Sequence, residues 1–269
     1  MKFRNKNFNL NGDIVDFDIK DPITLEVKQF YEKYPFPNYK IDDNKHTILE
    51  KGNKNSFFVE LKNFIGFNKS VLEVGSGTSQ LSNYLAIGTN NQIYAFDSSI
   101  KSLEIGNNFA KKNNIHNINF VRGDIFDEIF ENEIFDFILC NGVLHHTGNP
   151  SKAFSNIVGH LKKSGYILVG LYNKIGRIRT KIRKYIYKIL GKKMVMVLDP
   201  VLRKTDKKSH DKINAWIKDQ YQHPVESTHT FDEILKWFDS NNIEFINSML
   251  FDLNHFNISS NVCVLSTGC

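Results

Sequence analysis

Cysteine is scarce in this 269-residue sequence, with only Cys140, Cys263 and Cys269 present. They form no CxxC pair and no even framework, which argues against a structural zinc site and a disulfide scaffold. Reduced, mostly buried thiols are expected. Also lacking is any apolar stretch near the roughly 20 residues that span a bilayer. The opening MKFRNKNFNLNGDIVDF has no continuous apolar core of the kind a signal peptide carries, so the expected location is cytoplasmic. Internal repeats and low-complexity tracts are absent.

What the chain has is bulk and uneven charge. At 41% hydrophobic residues it can bury a full core in one large domain, or in one domain carrying a substantial insertion. Its net charge of +6 is concentrated in KIGRIRTKIRKYIYKILGKKMVMVLDPVLRK (174–204), which holds eleven basic residues and one acid, Asp199. The remainder is slightly acidic, which argues against a surface built throughout for a polyanion.

Apolar runs alternate with helical patterns. SVLEVG (70–75), QIYAFD (92–97), INFVRGD (118–124), FDFILCN (135–141) and GYILVGLY (165–172) are short, rich in Val, Ile and Phe, and bounded by Gly, Asn or Asp, as buried strands are. SQLSNYLA, SSIKSLEIGNNFAKKNN and NPSKAFSNIVGHLKKSG between them place apolar residues three and four apart. Such alternation predicts a parallel sheet covered on both faces. A further helix, TFDEILKWFDSNN, has Thr230 and Glu233 spaced as a capping box, and strand-like 243–250 and 261–267 follow. The expected architecture is α/β, Rossmann-like and doubly wound, with about seven mostly parallel strands. Residues 1–65 form an N-terminal extension or cap and 66–172 the cofactor-binding half. A basic helical insertion or lid occupies 173–228, and the last helix and two strands occupy 229–269.

VLEVGSGTSQ (71–80) sets two glycines directly behind the first of these five strands, where open α/β sheets bind ligands. Asp97 ends the next strand, 22 residues after Gly75, where a carboxylate can accept from both hydroxyls of a ribose. Glu73 stands two residues before Gly75. A buried carboxylate there repels a pyrophosphate and favours a cation, so a positively charged adenosine ligand without phosphates fits best.

The pattern resembles the class I S-adenosylmethionine-dependent methyltransferases, whose cofactor site opens with E/D-x-G-x-G-x-G. The resemblance continues through RGD (122–124) and CNGVLHHT (140–147), each at a strand end. It implies S-adenosyl-L-methionine as cofactor, with Gly75, Ser76 and Gly77 passing close to its methionine portion and Glu73 near its amino group. By the same resemblance Asp97 holds the ribose, Asp124 and Ile125 face the adenine, and Asn141 and Gly142 close the pocket. The third glycine position is Ser79, a departure expected to satisfy helix-start donors and to alter packing slightly.

Methyl transfer needs an aligned nucleophile in a dry pocket, and a base is optional. His146, and after it His145, are the candidate bases because they follow the fourth strand; either could equally hold backbone. FYEKYPFPNY (30–39) supplies Tyr31 and Tyr34 as a pocket cover, its prolines excluding an ordinary helix. DQYQHPVESTH (219–229) supplies His223, Glu226 and His229 as a polar substrate wall. Their His-x2-Glu-x2-His spacing also suits a metal, but Pro224 argues against a regular helix there, and no metal is expected.

In the basic insertion Ile175, Ile178, Ile182, Ile186 and Ile189 recur at spacings of three and four, predicting an amphipathic helix. The expectation is a lid lying apolar side down, with membrane-surface contact as the next reading and nucleic acid third. The expected partner is a small-molecule acceptor methylated at O, N or C, and nothing in the sequence specifies an oligomeric state. Three alternatives stand beside methyl transfer: another, metal-assisted reaction on the same fold, RNA modification, and non-catalytic binding of an adenosine ligand.

Overall fold

The computed structural model describes residues 3–205, 210–252 and 259–267. Nine strands run in chain order as β1 (Asn9–Asn11), β2 (Ile14–Asp16), β3 (Ser70–Val74), β4 (Gln92–Asp97), β5 (Ile118–Arg122), β6 (Phe135–Asn141), β7 (Leu161–Tyr172), β8 (Ile243–Asp252) and β9 (Ser259–Thr267). They form one sheet in the order β1-β2-β5-β4-β3-β6-β7-β9-β8. From β5 to β7 neighbours are parallel, while β9 inserts antiparallel between β7 and β8. Seven strands lie where the apolar runs predict them. β3 pairs with β4 on one side and β6 on the other, so the winding reverses there and opens a crevice beyond its carboxyl end.

The extension adds what the sequence reading did not anticipate. β1 and β2 form a hairpin, with Gly12 at φ +59° in its turn, and β2 extends the sheet parallel to β5. The helices are α1 (Pro22–Lys33), α2 (Lys45–Asn53), α3 (Ser56–Ile65), α4 (Gln80–Ala86), α5 (Ile100–Lys112), α6 (Pro150–Val158), α7 (Ile178–Leu190), α8 (Lys192–Leu198), α9 (Pro200–Lys204), α10 (His210–Ile217) and α11 (Phe231–Ser240). The prolines after Tyr34 stop α1 but do not keep Phe30–Lys33 out of it. α6 ends sooner than its pattern suggests, because Leu161 already pairs with Phe135. α11 carries the predicted capping box, the Thr230 and Glu233 side chains each accepting from the other's backbone N–H.

Alternation along the strands divides the interior in two. Leu72 and Val74 of β3 join Ile138, Ile167, Phe154 and Phe238 beneath α6 and α11. Val71 joins Ile93, Leu139, Leu168, Leu103 and Phe109 beneath α2 to α5. Each such side chain contributes about 1.5–3 kcal/mol by leaving water. Cys140 is a free, buried thiol pushed up by that burial; the side chains of Cys263 and Cys269 lie outside the described residues.

The insertion has a small core of its own in Val195, Leu202, Ile213, Ile217 and Tyr221. Buried Asp199 ties it together by capping α9 and accepting from Trp216 Nε1 at 3.0 Å and from the Tyr221 hydroxyl. One expectation is overturned here. Ile178, Ile182 and Ile189 point to solvent, and the inward face of α7 is made by Thr180 and Tyr187. Periodicity defines the stripe on a helix but not which side finds a partner.

Candidate functional site

The glycine loop is a left-handed passage from β3 into α4, with Gly75 at φ +67°, Gly77 at +52° and Ser79 at +58°. A Cβ on Gly75 would stand 2.2 Å from Val143 Cγ2, and one on Gly77 would stand 2.3 Å from the Phe36 carbonyl oxygen. The glycines thus admit the segment after β6 and the N-terminal segment. Ser79 makes no side-chain cap, contrary to expectation, because the left-handed backbone at this N-cap aims its hydroxyl away from the helix amides. Its Oγ donates to Ser76 Oγ at 3.2 Å instead. The extra bulk is accommodated by Gly106 of α5, where a Cβ would come within 2.8 Å of Ser79 Cβ.

Three carboxylates surround the loop. Asp97 accepts Gly77 N–H at 2.7 Å on one oxygen and Ser99 N–H at 2.8 Å on the other. Burial raises its pKa against those amide bonds and that of Ser98, and a carboxylate with about four lone-pair sites has acceptor capacity beyond these. Glu73 accepts from the Ser82 hydroxyl, and burial pushes it up to about 7. Asp124 is buried and engaged by α1, with Thr24 Oγ1 at 3.2 Å, Asp21 N at 3.3 Å and Phe126 N at 3.0 Å as its donors. Beside it Ile125 is buried in the core. Gly142, at φ +79°, donates to Gly170 O at 3.0 Å, and the Asn141 amide oxygen lies over Gly170.

The N-terminal segment lies across this crevice. Glu32 Oε1 accepts from Ile100 N at the start of α5 at 2.9 Å, and Tyr39 donates to Thr78 O at 3.1 Å. Thr78 in turn donates its amide to Phe36 O and its hydroxyl to Pro37 O. Six residues, Asp21, Thr24, Glu32, Phe36, Pro37 and Tyr39, from α1, its N-cap and the irregular stretch after it, therefore reach the ends of β3, β4 and β5.

The histidines come from a short turn, Leu144–His146, after β6. His146 Nδ1 lies 2.7 Å from Val225 O, so it carries the proton and Nε2 carries the lone pair. Burial lowers its pKa to about 4. Its ring centroid lies 3.7 Å from that of His223, which burial lowers to about 2 and which also contacts Phe30 and Tyr31. His145 is fully enclosed, neither ring nitrogen has a hydrogen-bond partner among the described residues, and burial holds it neutral. It stacks on Tyr172 at 3.7 Å; the Arg177 guanidinium sits at the same distance from that ring and, since both cannot share one face, covers the other.

The structure brings together Tyr31, His146 and His223, from three segments distant in sequence. Tyr34 sits beside Phe30 and Lys218, which hold it at the cavity edge. Glu226 is taken up by a buried, bidentate pair with Arg177, at 3.2 and 2.9 Å. His229 turns to Ser227, Glu233 and Trp237, away from the other two histidines. A cavity of ≈ 280 Å³ lies between residues 30–38 and 214–219, lined by Tyr31, Tyr34 and Phe36 on one side and Lys218 and Asp219 on the other; His223 packs on Tyr31 and His146 on His223, and neither histidine lines it. Sequence reasoning missed Arg177, Tyr172, Gln220 and Asp219. Arg177 was hidden among eleven basic residues, and only its burial distinguishes it.

Asp97, a strand-end carboxylate with acceptor capacity to spare, fits a ribose diol, and Glu73 poised near 7 fits a neighbouring cation. The loop GSGTSQ has no Lys or Arg to meet a phosphate. Fold and loop define a class I S-adenosylmethionine-dependent methyltransferase. Among solved structures, one of a putative S-adenosylmethionine-dependent methyltransferase from Methanococcus maripaludis matches 87% of this chain and 98% of that one, at 19% identity and TM-score 0.51. Magnesium protoporphyrin IX methyltransferase from Synechocystis PCC 6803, solved with the cofactor bound, matches 94% and 100%, at 12% identity and TM-score 0.57.

The chain belongs to a methyltransferase-domain family, whose model matches residues 66–236. A ubiquinone biosynthesis O-methyltransferase from Rickettsia felis is 28% identical over 141 residues, 52% of each chain. The chain spans about half the length of the curated relatives it matches.

Proposed function

We propose that the protein transfers the methyl group of S-adenosylmethionine to an O, N or C nucleophile of a small or medium-sized acceptor in the cavity beneath its N-terminal segment. The observation that carries this reading is the position of Phe36. It lines the cavity and also accepts the Thr78 amide through its carbonyl, so the space adjoins the glycine loop. Residues 1–65 then serve as the cap and 173–228 as the lid.

Bound cofactor supplies an electrophilic methyl on a sulfonium, whose carbon–sulfur bond breaks as the bond to the acceptor forms. Glu73, Gly75, Ser76, Gly77, Asp97, Asp124, Ile125, Asn141 and Gly142 form the cofactor side, with Asp97 accepting from the ribose hydroxyls. Tyr31 and Tyr34 wall the acceptor side and exclude water, with His223 packed behind Tyr31. An acceptor that passes the Tyr31 and His223 rings meets the Nε2 lone pair of His146. Its low basicity, with a pKa of about 4, restricts it to orienting a hydroxyl or taking a proton that methylation has made acidic, so proximity carries most of the rate. Glu226 braces Arg177, and His145 positions Tyr172.

The test is incubation with isotopically labelled cofactor and a panel of acceptors, read as S-adenosylhomocysteine by mass spectrometry. Phenolic hydroxyls come first in the panel because relatives are named O-methyltransferases. Stoichiometric product with one acceptor class is expected. Cofactor bound without turnover on any acceptor would favour a binding protein.

A further inference from the structure

The insertion turns its apolar side to water. At about 100° per residue, Ile178, Ile182, Tyr185 and Ile189 form one stripe along α7, and each is at least 50% exposed. Met194, Val197 and Leu198 carry the exposed apolar surface onto α8. Such a stripe, rimmed by polar groups, marks a surface that meets another phase or partner.

The rim is cationic. Arg179 runs along one edge of the stripe and Lys181 and Lys188 along the other, all exposed. The sole acid of 174–204, Asp199, is 1% exposed and caps α9 from inside. The charge this segment shows to solvent is therefore of one sign. A second copy seated face to face would bring like-charged rims together, which disfavours self-association. An anionic lipid surface suits both features, because apolar side chains enter the acyl boundary while flanking lysines and arginines meet the headgroup phosphates.

We propose that α7 and α8 dock the protein on an anionic membrane, lying in the interface without crossing it. Among the described residues no helix is long and apolar enough to cross. The opposite face of α7 rests on the π-helical segment Lys218–Gln222 through Tyr187 and Tyr221, whose rings lie 5.8 Å apart, and Lys218 and Asp219 of that segment wall the cavity. Lipid contact and cavity wall are then two sides of one layer.

Sedimentation of the full chain with vesicles of phosphatidylcholine mixed with phosphatidylglycerol tests this. Retention at physiological salt is expected, with weak retention on phosphatidylcholine alone. Ile182→Asp with Ile189→Asp lowers it roughly tenfold or more, and Arg179→Glu with Lys188→Glu roughly 25-fold or more. These side chains are outside the cofactor site, so cofactor affinity measured on the same variants stays unchanged and reports that they fold. No retention on the mixed vesicles, or retention indifferent to the isoleucine pair, would overturn the proposal. So would absence of vesicle binding together with self-association abolished by that pair, or with RNA retention that survives it.

Discussion

Glu73 illustrates how one residue can serve the ligand at a cost to the empty fold. Burial raises its carboxyl to about 7 in the folded protein, against roughly 4.3 for a free glutamate. The folded state therefore holds the proton more tightly, and the unfolding free energy declines as pH rises between those values, by on the order of 3–4 kcal/mol in all. A cation placed beside it reverses the penalty. Glu73→Gln is expected to stabilise the ligand-free protein at pH 8 by about 1–3 kcal/mol while weakening the cofactor about tenfold or more, measured by thermal denaturation and calorimetry on one preparation. His223→Ala addresses the other side of the site. Its ring touches Phe30, Tyr31 and His146 and none of the three cofactor carboxylates, so methyl transfer should fall about tenfold or more while the cofactor Kd holds; equal losses in both would place the ring on the cofactor side.

At the scale of elements, the layer above the sheet is fastened by Arg177. Its guanidinium binds Glu226 with two bonds and Gln220 Oε1 at 2.5 Å, and it covers Tyr172, joining the start of α7 to residues 219–226. Arg177→Met removes both hydrogen bonds to the buried Glu226 carboxylate and leaves it Lys184 at 3.8 Å, which should cost up to about 3–5 kcal/mol; adding Glu226→Leu should recover most of it. Denaturant midpoints of the single and double variants decide, and additive losses would mean that the pair is not the brace. This brace was not legible in the sequence, where a buried arginine and its solvated neighbours read alike. The orientation of α7 was hidden for a related reason, since its spacing is the same whichever face is covered. The β1–β2 hairpin was more accessible: Asn11-Gly12 between short apolar runs is a turn signal, overlooked because the strands have only three residues each. Ser79 was visible as a departure, but the glycine that accommodates it, Gly106, lies 27 residues on in α5.

The whole molecule is held by a sheet that was legible because each buried strand had to be apolar and each strand end carried a recognisable acid or glycine. Its cover was not, since contacts among residues 21–39, 143–146 and 219–229 depend on chain folding that no local pattern encodes. That cover makes stability depend on pH. His145, His146 and His223 stay neutral when folded, His146 down at about 4 and His223 at about 2, whereas in the unfolded chain each takes a proton near 6.5. Below that value the unfolded state binds more protons. Their contribution is complete above about pH 7 and is lost by about 1.4 kcal/mol per histidine for each unit between roughly pH 6 and 4. Chemical denaturation across that range should show the decline, and replacing His223 with Phe should make it shallower.

Titration calorimetry with S-adenosylhomocysteine tests the central claim most directly, that the crevice after β3 holds this cofactor through Asp97. One molecule should bind per chain, and Asp97→Ala, which removes the ribose acceptor, should weaken it by about 1.5–3 kcal/mol, or roughly 10- to 150-fold. No heat with the intact protein, or equal affinity for intact and Asp97→Ala proteins, would contradict it.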